Sequence, residues 1–197
     1  SAKRCAACAA SRESSINFGP ERGDGGATHL RRSAAAWSDG GGGASGGVAI
    51  LARSFMGLRQ ARQIYQGRAL GAVAHLPGGV PFGLVSLYGF DSEGLTDRQL
   101  ELHKSIGAHL FVEGTSFVVG GDFNLEPSAF KDTGFQELGR CELVATGVPT
   151  CFGARQSEYD YFLVSGGLAR GVKSVRRCED QILLQMILYV YYSMPIP

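Results

Sequence analysis

The sequence predicts an α/β sandwich, and three features of the 197-residue chain support that prediction. Several short apolar runs are bounded by glycine or proline, as buried strands are. One longer stretch has helical periodicity and recognisable caps. Strands outnumber helices, which favours a layered sandwich over strict alternation of strand and helix. A hydrophobic content of 44% with 19% charged residues is typical of a globular domain with its own core.

Six apolar runs are predicted to form strands. Glycine and proline between them mark turns, because they release or stop an extended backbone. The four longer or more central runs cover residues 46–52, 68–76, 82–88 and 117–120, and two further runs cover 141–144 and 159–165.

One long helix is predicted between the third and fourth strands. Thr96 begins it, and Gln99 stands three residues later, so the two can form a capping box. Gly114 ends it. A second, short helix is predicted from Pro127 to about Leu138. The long helix has one apolar stripe at helical spacing, formed by Leu102, Ile106 and Leu110.

The chain divides into three parts by composition. Residues 1–45 are rich in Ala, Ser, Gly and Arg and are predicted to be a disordered leader. Residues 46–181 are predicted to form the folded domain. Residues 182–197 form an apolar tail or a strand, and the sequence leaves both open. The apolar run Ile182–Tyr192 is too short for a membrane span, which needs about 20 residues.

Charge and cysteine usage restrict the classes of partner. A formal net charge of +1 gives no overall field that would attract nucleic acid, so such binding needs a local basic patch. The five cysteines are scattered and no signal peptide is evident, which favours a reducing, intracellular location. Cys5 and Cys8 have zinc-knuckle spacing without a second pair, so no zinc site is expected. Two groups of basic residues are interpreted as solvated faces: Arg53, Arg59, Arg62 and Arg68, and Lys173, Arg176 and Arg177.

The most informative stretch is Gly-Gly-Asp-Phe-Asn at residues 120–124. Asp122 and Asn124 stand two positions apart, and residues i and i+2 of an extended segment point the same way. A carboxylate that accepts a proton beside an amide that orients water suits phosphoester hydrolysis. The same two residues are ordinary turn formers whose side chains bond to nearby backbone groups. Both interpretations stay open on these residues alone.

Four segments together resemble the endonuclease/exonuclease/phosphatase superfamily, the fold of DNase I-like nucleases, apurinic and retroelement endonucleases and phosphoinositide phosphatases. The resemblance covers roughly residues 46–181, and its nuclease and retroelement branches look most similar. It depends on the order of four short segments: residues 46–51 (Gly-Gly-Val-Ala-Ile-Leu), 85–88 (Val-Ser-Leu-Tyr), 120–124 and 158–165 (Glu-Tyr-Asp-Tyr-Phe-Leu-Val-Ser).

The resemblance implies a DNase I-like four-layer α/β sandwich that hydrolyses phosphoesters with Mg²⁺ or Mn²⁺, with nucleic acid as the favoured substrate. Asp122 would activate or orient the attacking water, and Asn124 would hold that water or a phosphate oxygen. Tyr88 would donate a hydrogen bond to the phosphate; alternatively it is a strand-end tyrosine half in the core. Asp160 would orient a catalytic histidine; alternatively it is a buried carboxylate bonded to backbone amides. The metal ligands stay unknown.

Parts of the family pattern are missing. The family places an asparagine and a metal-binding glutamate before the segment at residue 46, and neither Asn17 nor Glu21 is carried over, because no convincing strand holds them. The family also places a Ser-Asp-His segment after the strand that begins near Asp160. Asp91 stands where nuclease members often have asparagine. All four histidines precede Asp160: His29, His75, His103 and His109.

These departures predict a domain incomplete at both ends, as in a truncated or degenerate retroelement-type endonuclease, with weak or no activity. Its substrate class stays open among nucleic acid, inositol phosphate and lipid headgroup. A second hypothesis is a catalytically dead interaction domain that keeps the sandwich as a scaffold, with Ile182–Tyr192 as its contact surface. No clear protein partner follows from the sequence.

Overall fold

The computed structural model places most of the chain in one mixed α/β arrangement. It describes residues 30–36, 48–53, 57–75, 79–90, 94–152, 156–178 and 185–190. Five residues discussed in the sequence analysis lie outside these ranges: Cys5, Cys8, Asn17, Glu21 and Asp91.

Twelve strands and four helices make up the described chain. The strands are β1 (Leu30–Ala36), β2 (Val48–Arg53), β3 (Arg59–Tyr65), β4 (Ala69–Ala74), β5 (Phe82–Tyr88), β6 (Phe117–Asp122), β7 (Cys141–Val144), β8 (Cys151–Phe152), β9 (Gln156–Ser157), β10 (Asp160–Ser165), β11 (Val172–Cys178) and β12 (Gln185–Val190). The helices are α1 (Asp97–Glu113), α2 (Pro127–Lys131), α3 (Phe135–Gly139) and α4 (Gly166–Ala169).

A six-stranded sheet forms the centre of the fold, in the order β3-β4-β5-β6-β10-β7. β5 and β6 are parallel and are joined by α1, as a crossover connection requires. Every other neighbouring pair in this sheet is antiparallel. The carboxyl ends of β5 and β6 therefore lie side by side, next to the start of β10.

The two faces of this sheet are covered by different layers. α1 buries its apolar stripe on one face, where Leu102, Ile106 and Leu110 pack with Val85 and Val119. The antiparallel ribbon β1–β2 packs on the other face through a second cluster, formed by Val48, Ile50, Leu70 and Ala72. Helix, sheet and ribbon stack as the α/β sandwich that the sequence predicts.

The boundaries of α1 confirm the predicted caps, with one correction. The Thr96 side chain accepts a hydrogen bond from the Gln99 backbone N–H at 3.4 Å, and Gly114 ends the helix with φ of 61°. The Gln99 side chain does not return to the Thr96 N–H as in a full capping box. It is fully buried and bonds to two loops beyond the helix.

Several other predictions are corrected. β3 was not predicted, because its polar, mostly exposed residues lack an apolar period. The predicted helix from Pro127 is two short helices, separated where Gly134 takes a φ of 68°. Leu30–Ala36, within the predicted leader, form a strand because β2 supplies backbone partners that composition cannot reveal.

The C-terminal apolar run contains β12, which pairs with β11, so residues 185–190 form a strand. None of the helices in the described part of the chain has the length and apolar character that crossing a bilayer requires.

Candidate functional site

A row of four residues crosses one end of the central sheet: Arg68, Tyr88, Asp122 and Asp160. Tyr88 is the register partner of Asp122 across the parallel pair, and Asp122 is the partner of Asp160 across the antiparallel pair. On the other side of Tyr88, its backbone N–H donates to the Arg68 carbonyl at 2.8 Å. Because directly opposed residues on neighbouring strands lie on the same face, the row brings a cation, a phenol and two carboxylates together.

Two glycines allow the strand ends of the row to approach closely. Gly121 has a φ of 150°, and a Cβ there would collide with the backbone of Leu87 on β5. Gly89 follows Tyr88 and donates its N–H to the Asp122 carbonyl at 2.7 Å. A Cβ at Gly89 would collide with the Phe123 carbonyl. The two glycines thus set the distance between the Tyr88 and Asp122 strands.

Asp122 and Asn124 form a turn beyond the end of β6. Asn124 has a left-handed φ of 49°, and its backbone N–H donates to Asp122 Oδ1 at 2.9 Å. The Asn124 side-chain amide donates to the Gly89 carbonyl at 3.2 Å. The turn interpretation is therefore correct as a description of local structure. It does not exclude a site, because the turn fixes the carboxylate in the row and ties it to the loop after Tyr88.

An aromatic cluster anchors this turn from the α1 side. Phe123 is fully buried between the two polar residues and stacks on Tyr161, with ring centroids 4.0 Å apart. Phe130 meets Phe123 edge-on at 5.4 Å. The Tyr161 hydroxyl donates to the Leu125 carbonyl at 3.1 Å, and burial raises the pKa of this phenol. Since Phe123 enters the core, Asp122 is left on the opposite face, with Tyr88.

Asp160 is a half-buried carboxylate at the start of β10. Its backbone N–H and that of Tyr159 both donate to Thr150 Oγ1, at 3.1 and 3.0 Å. Burial raises the pKa of Asp160, a hydrogen bond from the Thr150 side chain lowers it, and the charge of Glu158 raises it. Among the described residues, the Thr150 side chain is a hydrogen-bond partner of the Asp160 carboxyl, and the Tyr159 and Asp160 amides donate to the same threonine.

Gln99 links the two loops that carry the row. Its side-chain oxygen accepts from the Phe90 N–H at 2.9 Å, and its side-chain nitrogen donates to the Phe123 carbonyl at 2.7 Å. One buried amide thus joins the loop after β5 to the loop after β6. The sequence pointed to Gln99 only as a capping residue, and no local pattern could have identified its long-range partners.

Arg68 is placed differently from the solvated face that the sequence predicted. Its guanidinium lies 4.7 Å from the Tyr88 ring centroid and 4.8 Å from that of Phe90. Its Nη1 donates to the Gly89 carbonyl at 2.9 Å, the same carbonyl that accepts from Asn124. The side chain is half-buried beside the row because two rings and a carbonyl hold it.

The histidines of the described chain do not join the row. His75 follows β4 at its far end, because Ala74 pairs with Phe82 whereas the row lies beside Ala69 and Leu87. His103 is buried on α1 among phenylalanine rings, and neither ring nitrogen has a hydrogen-bond partner among the residues that the structure describes. Burial lowers the pKa of His103 to about 4. His103 therefore has a packing role in this aromatic cluster.

A divalent metal would need oxygen ligands, and Mg²⁺ is usually bound by one or two carboxylates together with substrate phosphate. Asp122 and Asp160 offer two carboxylates in the row. In the ranges described by the structure, no group of three or more His, Cys, Asp or Glu side chains is arranged to hold a metal ion. The described part of the chain therefore shows no complete set of protein ligands for a metal ion.

The topology and the row of phenol and carboxylates define a mixed α/β fold of the nuclease and phosphatase type. The family model described as the Endonuclease/Exonuclease/phosphatase family matches residues 9–191. The chain belongs to this family, as the resemblance of its four motifs indicates. The match extends on both sides of the predicted domain 46–181.

Solved structures with the same fold include two nucleases. The "Endonuclease domain of TRAS1, a telomere-specific non-LTR retrotransposon" is 18% identical with a TM-score of 0.59, over 82% of this chain and 77% of that chain. The "3'-5' exonuclease (NExo) from Neisseria Meningitidis" is 18% identical with a TM-score of 0.55, over 81% and 80% respectively. At this identity the likeness establishes the fold. A search of the curated proteins found no match.

Proposed function

We propose that this chain is a metal-dependent phosphodiesterase of the nuclease type, acting on nucleic acid with weakened activity. The observation that supports it is the row at the carboxyl ends of β5 and β6. Tyr88, Asp122 and Asp160 are direct register partners there, with Asn124 in the adjoining turn. The names of the fold relatives, an endonuclease and an exonuclease, favour nucleic acid as the substrate class.

Tyr88 and the two carboxylates of the row, with Asn124 of the adjoining turn, have roles that their geometry suits. Asp122, with one oxygen held by the Asn124 N–H, accepts a proton from the attacking water through its carboxylate. Asn124 orients that water or a phosphate oxygen. The Tyr88 hydroxyl donates a hydrogen bond to the phosphate. Asp160, the register partner of Asp122, would be a second carboxylate available to a bound metal ion. A divalent ion, when bound, would stabilise charge on the phosphate.

The proposal of weakened activity depends on groups that the row lacks. No histidine stands beside Asp160 among the described residues, although the family resemblance implies one. A positioned acid or base contributes about 10²- to 10⁴-fold in rate. Groups that act as one unit are not additive, so the loss of a partner removes most of the benefit of the rest.

The test is cleavage of supercoiled plasmid and of a labelled oligonucleotide with Mg²⁺ or Mn²⁺, in the wild type and Asp122→Asn. The asparagine oxygen keeps the hydrogen bond from the Asn124 N–H and removes the charge. We expect metal-dependent cleavage that Asp122→Asn lowers by about 10²- to 10⁴-fold. Asp132→Asn, an exposed aspartate at the end of α2, is the matched control and should cleave as the wild type does. Equal cleavage by Asp122→Asn and wild type would refute the proposed role.

The second candidate function is a non-catalytic interaction domain. Two observations favour it: the incomplete set of metal ligands in the described chain, and large apolar side chains exposed on α1 and α3, namely Phe111, Val112 and Leu138. It predicts no cleavage with any metal and no rise in melting temperature on Mg²⁺ titration. A saturable thermal shift that disappears in Asp122→Asn would contradict it.

A further inference from the structure

We infer that Arg68 binds a backbone phosphate of the nucleic acid that the site takes, as the cationic member of the row. This inference rests on the proposed function for its substrate class. It assigns a ligand to a residue that sequence patterns place on a solvated face.

The position of Arg68 supports the inference first. Its backbone carbonyl accepts from the Tyr88 N–H, so it lies next to Tyr88 at the same end of the sheet as Asp122 and Asp160. Its guanidinium remains at that end, 4.7 Å from the Tyr88 ring centroid. A phosphate that accepts from the Tyr88 hydroxyl would therefore lie close to a fixed positive charge.

The contacts that hold the Arg68 guanidinium are the second support for the inference. Stacking against Tyr88 and Phe90 and the hydrogen bond to the Gly89 carbonyl reduce the rotamers of a long side chain. Less conformational entropy is then lost when a ligand binds. A guanidinium is a planar fork with five N–H donors, and its geometry matches phosphate.

The charge balance of the site supplies the chemical reason. Asp122 and Asp160 are carboxylates, and a phosphodiester brings another negative charge to them. Binding it without a cation would cost free energy, because like charges at short distance repel in a partly buried site. Arg68 is a cation that the described structure places against the row, 4.7 Å from the Tyr88 ring centroid, and it offsets this repulsion when the substrate binds.

A salt titration distinguishes a phosphate contact from a purely structural role. Each phosphate neutralised on duplex DNA contributes about 0.9 to the slope of log K against log salt. The experiment measures fluorescence anisotropy of a labelled DNA duplex in EDTA, without turnover, across a series of KCl concentrations. The variants are Arg68→Gln and Arg68→Lys. Arg62→Gln is the matched control, since Arg62 is exposed and its charge acts on His109 of α1, on the other face of the sheet.

We expect Arg68→Gln to bind more weakly at low salt, with a slope shallower by about 0.9, and Arg62→Gln to keep the wild-type slope. Arg68→Lys should keep the slope, because it keeps the charge. An unchanged slope in Arg68→Gln would overturn the inference, as would a wild type that binds no duplex at low salt. If Arg68→Gln does not fold, a loss of slope in Arg68→Lys equally overturns it.

The binding readout is independent of the proposed catalysis. A wild type that binds duplex but does not cleave it refutes the catalytic proposal and still tests Arg68. Cleavage with an unchanged salt slope in Arg68→Gln refutes the role of Arg68 and leaves the catalytic proposal standing.

Discussion

Replacing Gln99 with methionine tests the link between the two loops of the site. Methionine has a similar length and volume, so the substitution removes two hydrogen bonds and leaves little cavity. The Phe90 N–H and the Phe123 carbonyl, which Gln99 bonds at 2.9 and 2.7 Å, then lose their partner. Gln99 is fully buried, so water does not replace it without rearrangement of the loops.

The magnitude follows from the two unsatisfied backbone groups. Leaving a buried donor or acceptor without a partner costs about 1–3 kcal/mol each. We therefore expect Gln99→Met to lower the free energy of unfolding by about 2–6 kcal/mol. For a chain of this size each kcal/mol lowers the melting temperature by about 2–4 °C. The loops should also loosen, so that hydrogen exchange at Phe90 accelerates more than exchange in β7, far from Gln99.

Urea denaturation followed by circular dichroism measures the loss, with hydrogen exchange as the local readout. Gln63→Met, an exposed glutamine on β3, is the matched control and should change stability by no more than about 0.5 kcal/mol. The variant Gln99→Glu tests the direction in which stability changes with pH. A buried carboxylate facing the Phe123 carbonyl is unfavourable, and protonation restores a donor, so this variant should approach wild-type stability only at low pH. A loss below about 0.5 kcal/mol in Gln99→Met would refute the reasoning.

Three further predictions concern stability. The pKa of His103 is lowered from 6.5 to about 4, so its stabilising contribution is present above pH 6.5 and is lost as pH falls toward 4. In thermal melts, the wild type should lose about 3 kcal/mol of stability between pH 6.5 and 4 that His103→Leu does not lose. Because the pKa of Asp160 is raised in the folded state, its contribution to the free energy of unfolding is present below the unfolded pKa and is lost as pH rises through the folded pKa. Asp160→Asn should therefore be at least as stable as the wild type at pH 7 in urea titrations. A large destabilisation would contradict the conclusion that burial disfavours the Asp160 carboxylate. Gly89→Ala should lose about 1–3 kcal/mol in urea titrations because its Cβ meets the Phe123 carbonyl, whereas Gly83→Ala, with contacts of 3.6 Å or more, should lose less; equal losses would contradict this account.

Local patterns accounted for the elements near the site. Apolar runs predicted β5 and β6, and the bounds Phe82–Tyr88 agree in full. Thr96, the stripe at Leu102, Ile106 and Leu110, and Gly114 predicted α1, because capping and helical periodicity are encoded within a few residues. The same local chemistry gave a turn as one of two interpretations of Asp122 and Asn124, and the hydrogen bond from the Asn124 N–H to Asp122 agrees with that one.

Long-range partners were not predictable in the same way. The sequence groups Arg68 with basic residues of a solvated face. Only strand pairing places it beside Tyr88. Gln99 matched a capping box, and only the approach of two loops supplied its actual partners. His75, which stood on a predicted strand, lies at the end of β4 away from the row because β4 runs antiparallel to β5.

The sequence by itself determined the fold class, the family and the identity of the polar residues at the end of β6, since these depend on local periodicity, turn chemistry and ordered motifs. Tertiary structure alone decided that Arg68, Tyr88, Asp122 and Asp160 form one row and that one buried amide joins their loops. The physical reason is that register depends on how distant segments pack. A shift of one residue would move a side chain to the opposite face of the sheet, and no pattern within a single segment specifies its partner.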